Sequence, residues 1–205
     1  MTELLDDDRE RQLVRLLQAG LLVIAAYGFY RGETGIVANG LVPLAVTLVP
    51  TYLRRDRNIS MDTSYVLWIS IAVFVHAVGS LGFYESIPWY DSVAHALSAT
   101  IVAGTGYAAV KAIDRNSEQT NLPAELQFAF ILVFVMAFGV FWEIIEFTLG
   151  LASQLLGGEA VLAQYGLDDT VTDLLFNQLG AIIVAGWDAA RPQEAADTAT
   201  EAMDD

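Results

Sequence analysis

The chain of 205 residues contains no cysteine. Disulfides, thiolate metal sites and cysteine nucleophiles are therefore excluded. Positive charge is nearly as scarce. Ten basic residues, Lys111 and nine arginines, stand against 25 acidic ones, and the formal net charge is −15. Nucleic-acid binding needs a basic footprint, so the composition argues against a nucleic-acid partner. Strands of alternating polarity are also missing, which leaves no basis for a membrane β-barrel. There is no internal repeat and no separate soluble domain. No cleavable targeting signal is evident: the N-terminus is acidic, and the first apolar run lacks a small-residue cleavage site. That run is read as a retained span.

What the chain does have is apolar length. Fifty-five per cent of its residues are hydrophobic, high for a soluble protein. Several runs reach the 18–20 residues that cross a bilayer as a helix. The expected fold class is all-α: a polytopic integral membrane helical bundle of about six transmembrane helices. Residues 1–11 form an acidic N-terminal tail. The spans are expected at about 13–30, 35–53, 63–84, 89–113, 124–149 and 168–187, within a transmembrane domain of 12–188. Pro43 is expected to kink the second span. Ser60 or Asp62 suits the cap of the third. Ala96, Thr100, Gly104 and Ala108 recur every fourth residue in the fourth span, a spacing that lets helix backbones approach closely in lipid. Residues 150–167 are short and Gly-interrupted, and are read as an outer interfacial or re-entrant segment. Residues 189–205 are read as an acidic, disordered tail.

With six spans, Arg9, Arg11, Arg15, Arg54, Arg55, Arg57, Lys111, Arg115 and Arg191 all fall on one side, and Arg31 falls on the other. The positive-inside rule then places both termini in the cytoplasm of a multi-pass plasma-membrane protein. The acidic, lysine-poor composition points to a halophilic source.

That topology brings polar residues of three helices to one depth. Asp91 and His95 lie in the first turns of span four. Glu143 and Glu146 lie in the last turns of span five, inside the run LQFAFILVFVMAFGVFWEIIEF (126–147). Asp169, Asp173 and Asn177 lie in the first turns of span six. At 1.5 Å per residue, Glu143 and His95 each sit roughly 6–10 Å inside the outer helix ends. The spacings are i, i+4 for Asp91 and His95, i, i+3 for Glu143 and Glu146, and i, i+4, i+8 for the last set. Each set therefore shares a helical face. The helix dipole alone accounts for acids at the very start of spans four and six, but not for the deeper ones. Oxygen ligands with one imidazole suit a divalent cation such as Mg²⁺, Mn²⁺ or Zn²⁺. The candidate ligand set is Asp91, His95, Glu143, Glu146, Asp169, Asp173 and Asn177. His95, Glu143 and Glu146 are the candidate general acid–base groups. His76 is read as a packed, hydrogen-bonded residue, Trp142 and Phe147 as packing, and Tyr165 as an interface anchor.

The order of these motifs resembles a known pattern. Asp91 and His95 give aspartate–x3–histidine, Trp142–Glu146 gives WExxE, and DLLFNQLGA (173–181) gives D–x3–N–x2–GA. The chain resembles the VanZ-like membrane proteins. It resembles more closely the family of unknown function that includes the bacterial inner-membrane protein YjdF, over about residues 85–185. The resemblance implies a membrane protein with an acid-rich helix end. Through the VanZ-like side, it points to lipid or envelope chemistry on the outer face.

Three readings follow. The first is a membrane protein with an acidic metal or proton site in the outer half of the bundle, acting on a lipid-linked or envelope substrate. The second is an ion- or proton-coupled transporter, which predicts a polar pathway or inverted repeat that the sequence lacks. The third is a structural protein whose polar cluster fixes helix register. Whether the chain is an enzyme stays open among them.

Overall fold

Capping residues and the lengths of the apolar runs set the limits of the helices. In the computed structural model, which describes residues 6–57, 61–116, 122–156, 162 and 164–189, there are six long helices and no strand among the described residues. Helix α1 is Asp7–Arg31 and α2 is Thr34–Arg57. Helix α3 is Thr63–Val78, continued by a π-helical stretch Gly79–Phe83 and a last turn Tyr84–Ser86. Helices α4, α5 and α6 are Tyr90–Asn116, Ala124–Leu156 and Leu167–Ala189.

The Asp6 carboxylate opens α1 by accepting a hydrogen bond from the Arg9 amide at 2.8 Å. Gly32 closes that helix in the left-handed region, at φ 73°, where a side chain would be strained. Asp62 caps α3, accepting from the Ser64 amide at 2.8 Å. Within the π-helical stretch, Gly82 has φ 102°, and the helix kinks there. Helix α5 runs seven residues past the Leu149 bound expected for span five, to Leu156. The first part of the segment read as interfacial or re-entrant is thus helical. Residues 157–161 and 163 lie outside the described residues, as do residues 190–205 of the expected tail and residues 1–5.

Five stretches are long and apolar enough to cross a membrane: Asp7–Arg31, Thr34–Asp56, Thr63–Ser86, Tyr90–Lys111 and Ala124–Leu155. Helix α6 has 23 residues but opens on Asp168, Asp169 and Asp173, and it falls outside that group. Large apolar side chains face outward along the helices. Val23 and Val133 are each 68% exposed, and Phe29 is 82% exposed. Apolar surface on that scale is not left in water by a soluble monomer, but it costs nothing in lipid. The protein is an all-α, polytopic membrane protein.

The chain forms two compact units, Met1–Ala94 with Trp142–Thr170, and His95–Phe141 with Val171–Asp205. In the first, Leu21, Ile24 and Ala77 form a core flanked by Ile36, Leu44, Val73, Phe74 and Val78. Gln18 of α1 donates to Thr47 Oγ1 of α2 at 3.2 Å, and Ser64 Oγ donates to the buried Glu10 at 2.8 Å. His76 Nδ1 lies 2.7 Å from the Tyr84 hydroxyl, and the Tyr90 hydroxyl donates to the Val75 carbonyl at 2.8 Å.

In the second unit the core is Ala99, Ala103, Ile131, Val135, Ala181 and Ala185. The small residues buried on α4 are Ala94, Ala99, Ala103 and Gly106. Of the row expected from the sequence, Ala96, Thr100 and Gly104 are half-buried and Ala108 is exposed. Ala99 and Ala103 share the four-residue spacing of that row, so spacing alone does not choose between them. Gly180 of α6 packs directly on the Ala96 carbonyl and on Ala99 Cβ.

A methyl group at Gly180 would press on the Ala96 backbone, which cannot rotate away. Gly180→Ala is expected to destabilise the protein by about 1–3 kcal/mol, the usual scale of overpacking. Gly186→Ala, on the same helix with nothing within 4 Å of its added Cβ among the described residues, should be neutral or stabilise by about 0.5–1 kcal/mol. Thermal unfolding in detergent distinguishes the two.

Candidate functional site

Each unit carries its own set of the polar residues singled out in the sequence. The first unit holds Asp91, Glu143, Glu146 and Asp169; the second holds His95, Asp173 and Asn177.

In the first unit, Glu143 and Glu146 project from adjacent turns of α5 and are both buried. One helical turn before Glu146, Trp142 turns its indole N–H onto the carboxylate, 2.8 Å from Oε1. Trp142 thus does more than pack. Gln164, in the extended residues before α6, reaches Glu143. Its Nε2 lies 3.4 Å from Glu143 Oε2, 3.5 Å from the Glu143 carbonyl oxygen and 3.2 Å from Thr170 Oγ1. The Thr170 hydroxyl also hydrogen-bonds the Glu143 side chain. The Tyr165 amide donates to Asp169 Oδ2 at 2.9 Å, which fixes the first turn of α6. Glu143 Oε1 is buried with no hydrogen-bond partner among the described residues. Asp91, Glu143, Glu146 and Asp169 lie close enough for their charges to act on one another.

Tyr165 sits at the edge of this field. Partial burial pushes its phenol above the usual value, and the carboxylates of Glu85, Asp169 and Asp91 push it further the same way. Each disfavours a phenolate.

In the second unit, His95 and Asp173 face each other from α4 and α6. His95 Nε2 is 3.8 Å from Asp173 Oδ2, and both side chains are buried, Asp173 to 2% exposure. Asn177, one turn after Asp173, hydrogen-bonds His95. Gly139 makes room for it, because a Cβ there would come within 2.9 Å of Asn177 Nδ2. This is a buried acid–imidazole cluster. Asp91 stands one turn before His95 along the same face of α4.

Sequence reasoning did not single out Gln164 or Thr170. Neither lies in a periodic run, and both reach Glu143 through tertiary structure. The Trp142–Glu146 bond was accessible, since the two residues are i, i+4.

Comparison with known proteins places these features in a family. Residues 13–194 match the family described as "Predicted membrane protein (DUF2238)". An uncharacterised protein of Thermotoga maritima is 28% identical over 185 residues, covering 87% of this chain and 89% of its own length. No solved structure matches the chain. The chain belongs to the DUF2238 family of membrane proteins.

The indole donor at Glu146 gives a direct test. Trp142→Phe keeps most of the apolar contact and leaves a buried carboxylate oxygen without its donor, a change expected to cost about 1–3 kcal/mol. Thermal unfolding of the purified variant in detergent measures it. An unchanged midpoint would mean that the bond contributes nothing net.

Proposed function

We propose that this protein carries a divalent-cation site at the outer end of its helices and uses it on a lipid-linked or envelope substrate. His95 and Asp173 are the principal ligands, and Asn177 supports them. The observation that carries the reading is the His95–Asp173 pair. Its 3.8 Å separation is too long for a hydrogen bond. Two ligands each held about 2.0–2.2 Å from one ion stand at a comparable separation. An imidazole nitrogen with carboxylate and amide oxygens suits Mn²⁺ or Zn²⁺, and Mg²⁺ with more water in its shell. The cation would act as a Lewis acid on a phosphoryl or carbonyl oxygen. In the first unit, Glu143 and Glu146 are general acid–base candidates in their own right. The substrate class rests on the resemblance of Asp91/His95, Trp142–Glu146 and Asp173/Asn177/Gly180 to the YjdF-like and VanZ-like pattern. The placement in the plasma membrane with cytoplasmic termini rests on the arginine distribution.

One observation favours a structural role for part of the acidic set. Glu146 is met by the Trp142 indole and Glu143 by Gln164 and Thr170, as polar contacts that only fix helix packing would be. Such contacts contribute about 0.6 kcal/mol each on average. That role predicts small, separable effects when the acids are neutralised.

Metal analysis by mass spectrometry on protein purified without chelators tests the cation site. Wild type should carry about one divalent ion per chain, and His95→Ala and Asp173→Asn should each lower affinity at least about tenfold, the scale already reached when a partner behind a ligand is lost. Equal metal content in all three proteins, or none in wild type after dialysis against Mn²⁺ or Zn²⁺, would contradict the proposal.

A further inference from the structure

The cradle around Gln164 is built for more protons than its occupant supplies. The amide nitrogen has two protons, yet three oxygens surround it at 3.2 to 3.5 Å, all long for N–H···O bonds. A primary ammonium group carries three protons and a positive charge. Beside the amide, Glu143 Oε1 is unpartnered among the described residues, on a side chain of a residue only 5% exposed. Asp169 and Glu146 lie near enough to act on Glu143 electrostatically.

The chain has nothing of its own to answer this charge. No lysine or arginine occurs between Arg57 and Lys111, or between Arg115 and Arg191. Arg31, which the topology places on the outer side, is engaged by Glu33 at 3.0 Å. Either protons on the carboxyls or a cation from outside the chain answers it. A bare metal ion would draw the oxygens to about 2.0–2.6 Å. A charge-assisted ammonium contact closes to about 2.7–2.9 Å, so oxygens now 3.2 to 3.5 Å from the amide nitrogen would move in less for an ammonium group than for a metal ion.

We propose that Glu143, Thr170, Glu146 and Asp169 receive a primary ammonium group, carried by an aminated lipid headgroup or by a free amine. The Gln164 amide holds its place until it binds. This names a substrate class for the function proposed above and rests on that reading for its biological setting. The ammonium cradle uses different residues from the His95–Asp173 pair, so the two can fail separately.

The test uses the full chain in detergent and native mass spectrometry, with short-chain phosphatidylethanolamine, phosphatidylglycerol of the same chain length, and ethanolamine as competitor. Phosphatidylethanolamine should be retained at least about tenfold more tightly than phosphatidylglycerol, and Glu143→Gln should remove that preference, as expected for loss of a charge-assisted hydrogen bond. Gln164→Ala should strengthen amine binding, because the placeholder is gone. This second variant carries the test if Glu143→Gln does not fold. Competition by ethanolamine alone would assign the site to a free amine, and its failure to compete would assign it to the lipid headgroup; both support the ammonium cradle. Equal retention of the two lipids, a preference unchanged in Glu143→Gln, or binding not strengthened in Gln164→Ala would overturn it. His95→Ala should lose metal and keep the amine preference, so its result bears on the cation site alone.

Discussion

Glu143 and Glu146 are buried in a helix otherwise suited to lipid, and Asp173 is buried on α6. A carboxylate near the centre of a spanning helix costs about 2.5–3.5 kcal/mol to insert. That cost is offset by a basic partner, by other polar groups, by a water-filled cavity or by protonation. Here the long stretches flanking Lys111 and Arg115 contain no lysine or arginine. The chain supplies neutral donors instead: an indole, an amide and hydroxyl groups. Neutral donors satisfy lone pairs but leave the charge in place. Protonation of the carboxyls or the cation proposed above would remove that imbalance.

The apolar part of the structure is arranged to permit it. In the second unit, alanines on α4 and α6 with Gly180 let the backbones approach closely. The close approach sets His95 opposite Asp173. Gly139 leaves the space that Asn177 occupies. Small residues thus position the polar ones, and little conformational entropy is lost in ordering them. In the first unit, the Tyr165 amide bond to Asp169 and the Gln164 contacts hold the start of α6 beside Glu143.

Much of this was legible in the sequence. Apolar runs of spanning length gave the helices, and Asp62 gave the α3 cap, because both signals are local. The residues of each candidate set were found by helical spacing, which also puts Asp91 and His95, and Asp173 and Asn177, on shared faces. The buried row on α4 was misread because Ala96–Thr100–Gly104 and Ala99–Ala103 have the same period. The kink at Gly82 left no periodic trace, since glycine fits a helix as well as a positive φ. Gln164 escaped notice because its contacts with Glu143 span 21 residues and depend on how the chain returns to α5.

The central claim is that a cation with an imidazole ligand answers the buried Asp173. Pulsed electron paramagnetic resonance of the purified protein loaded with Mn²⁺ tests it most directly, because a coordinated histidine nitrogen gives a ¹⁴N coupling. The account predicts that coupling in wild type and its loss in His95→Ala with the fold retained. Bound Mn²⁺ without nitrogen coupling, or with a coupling that survives His95→Ala, would contradict it.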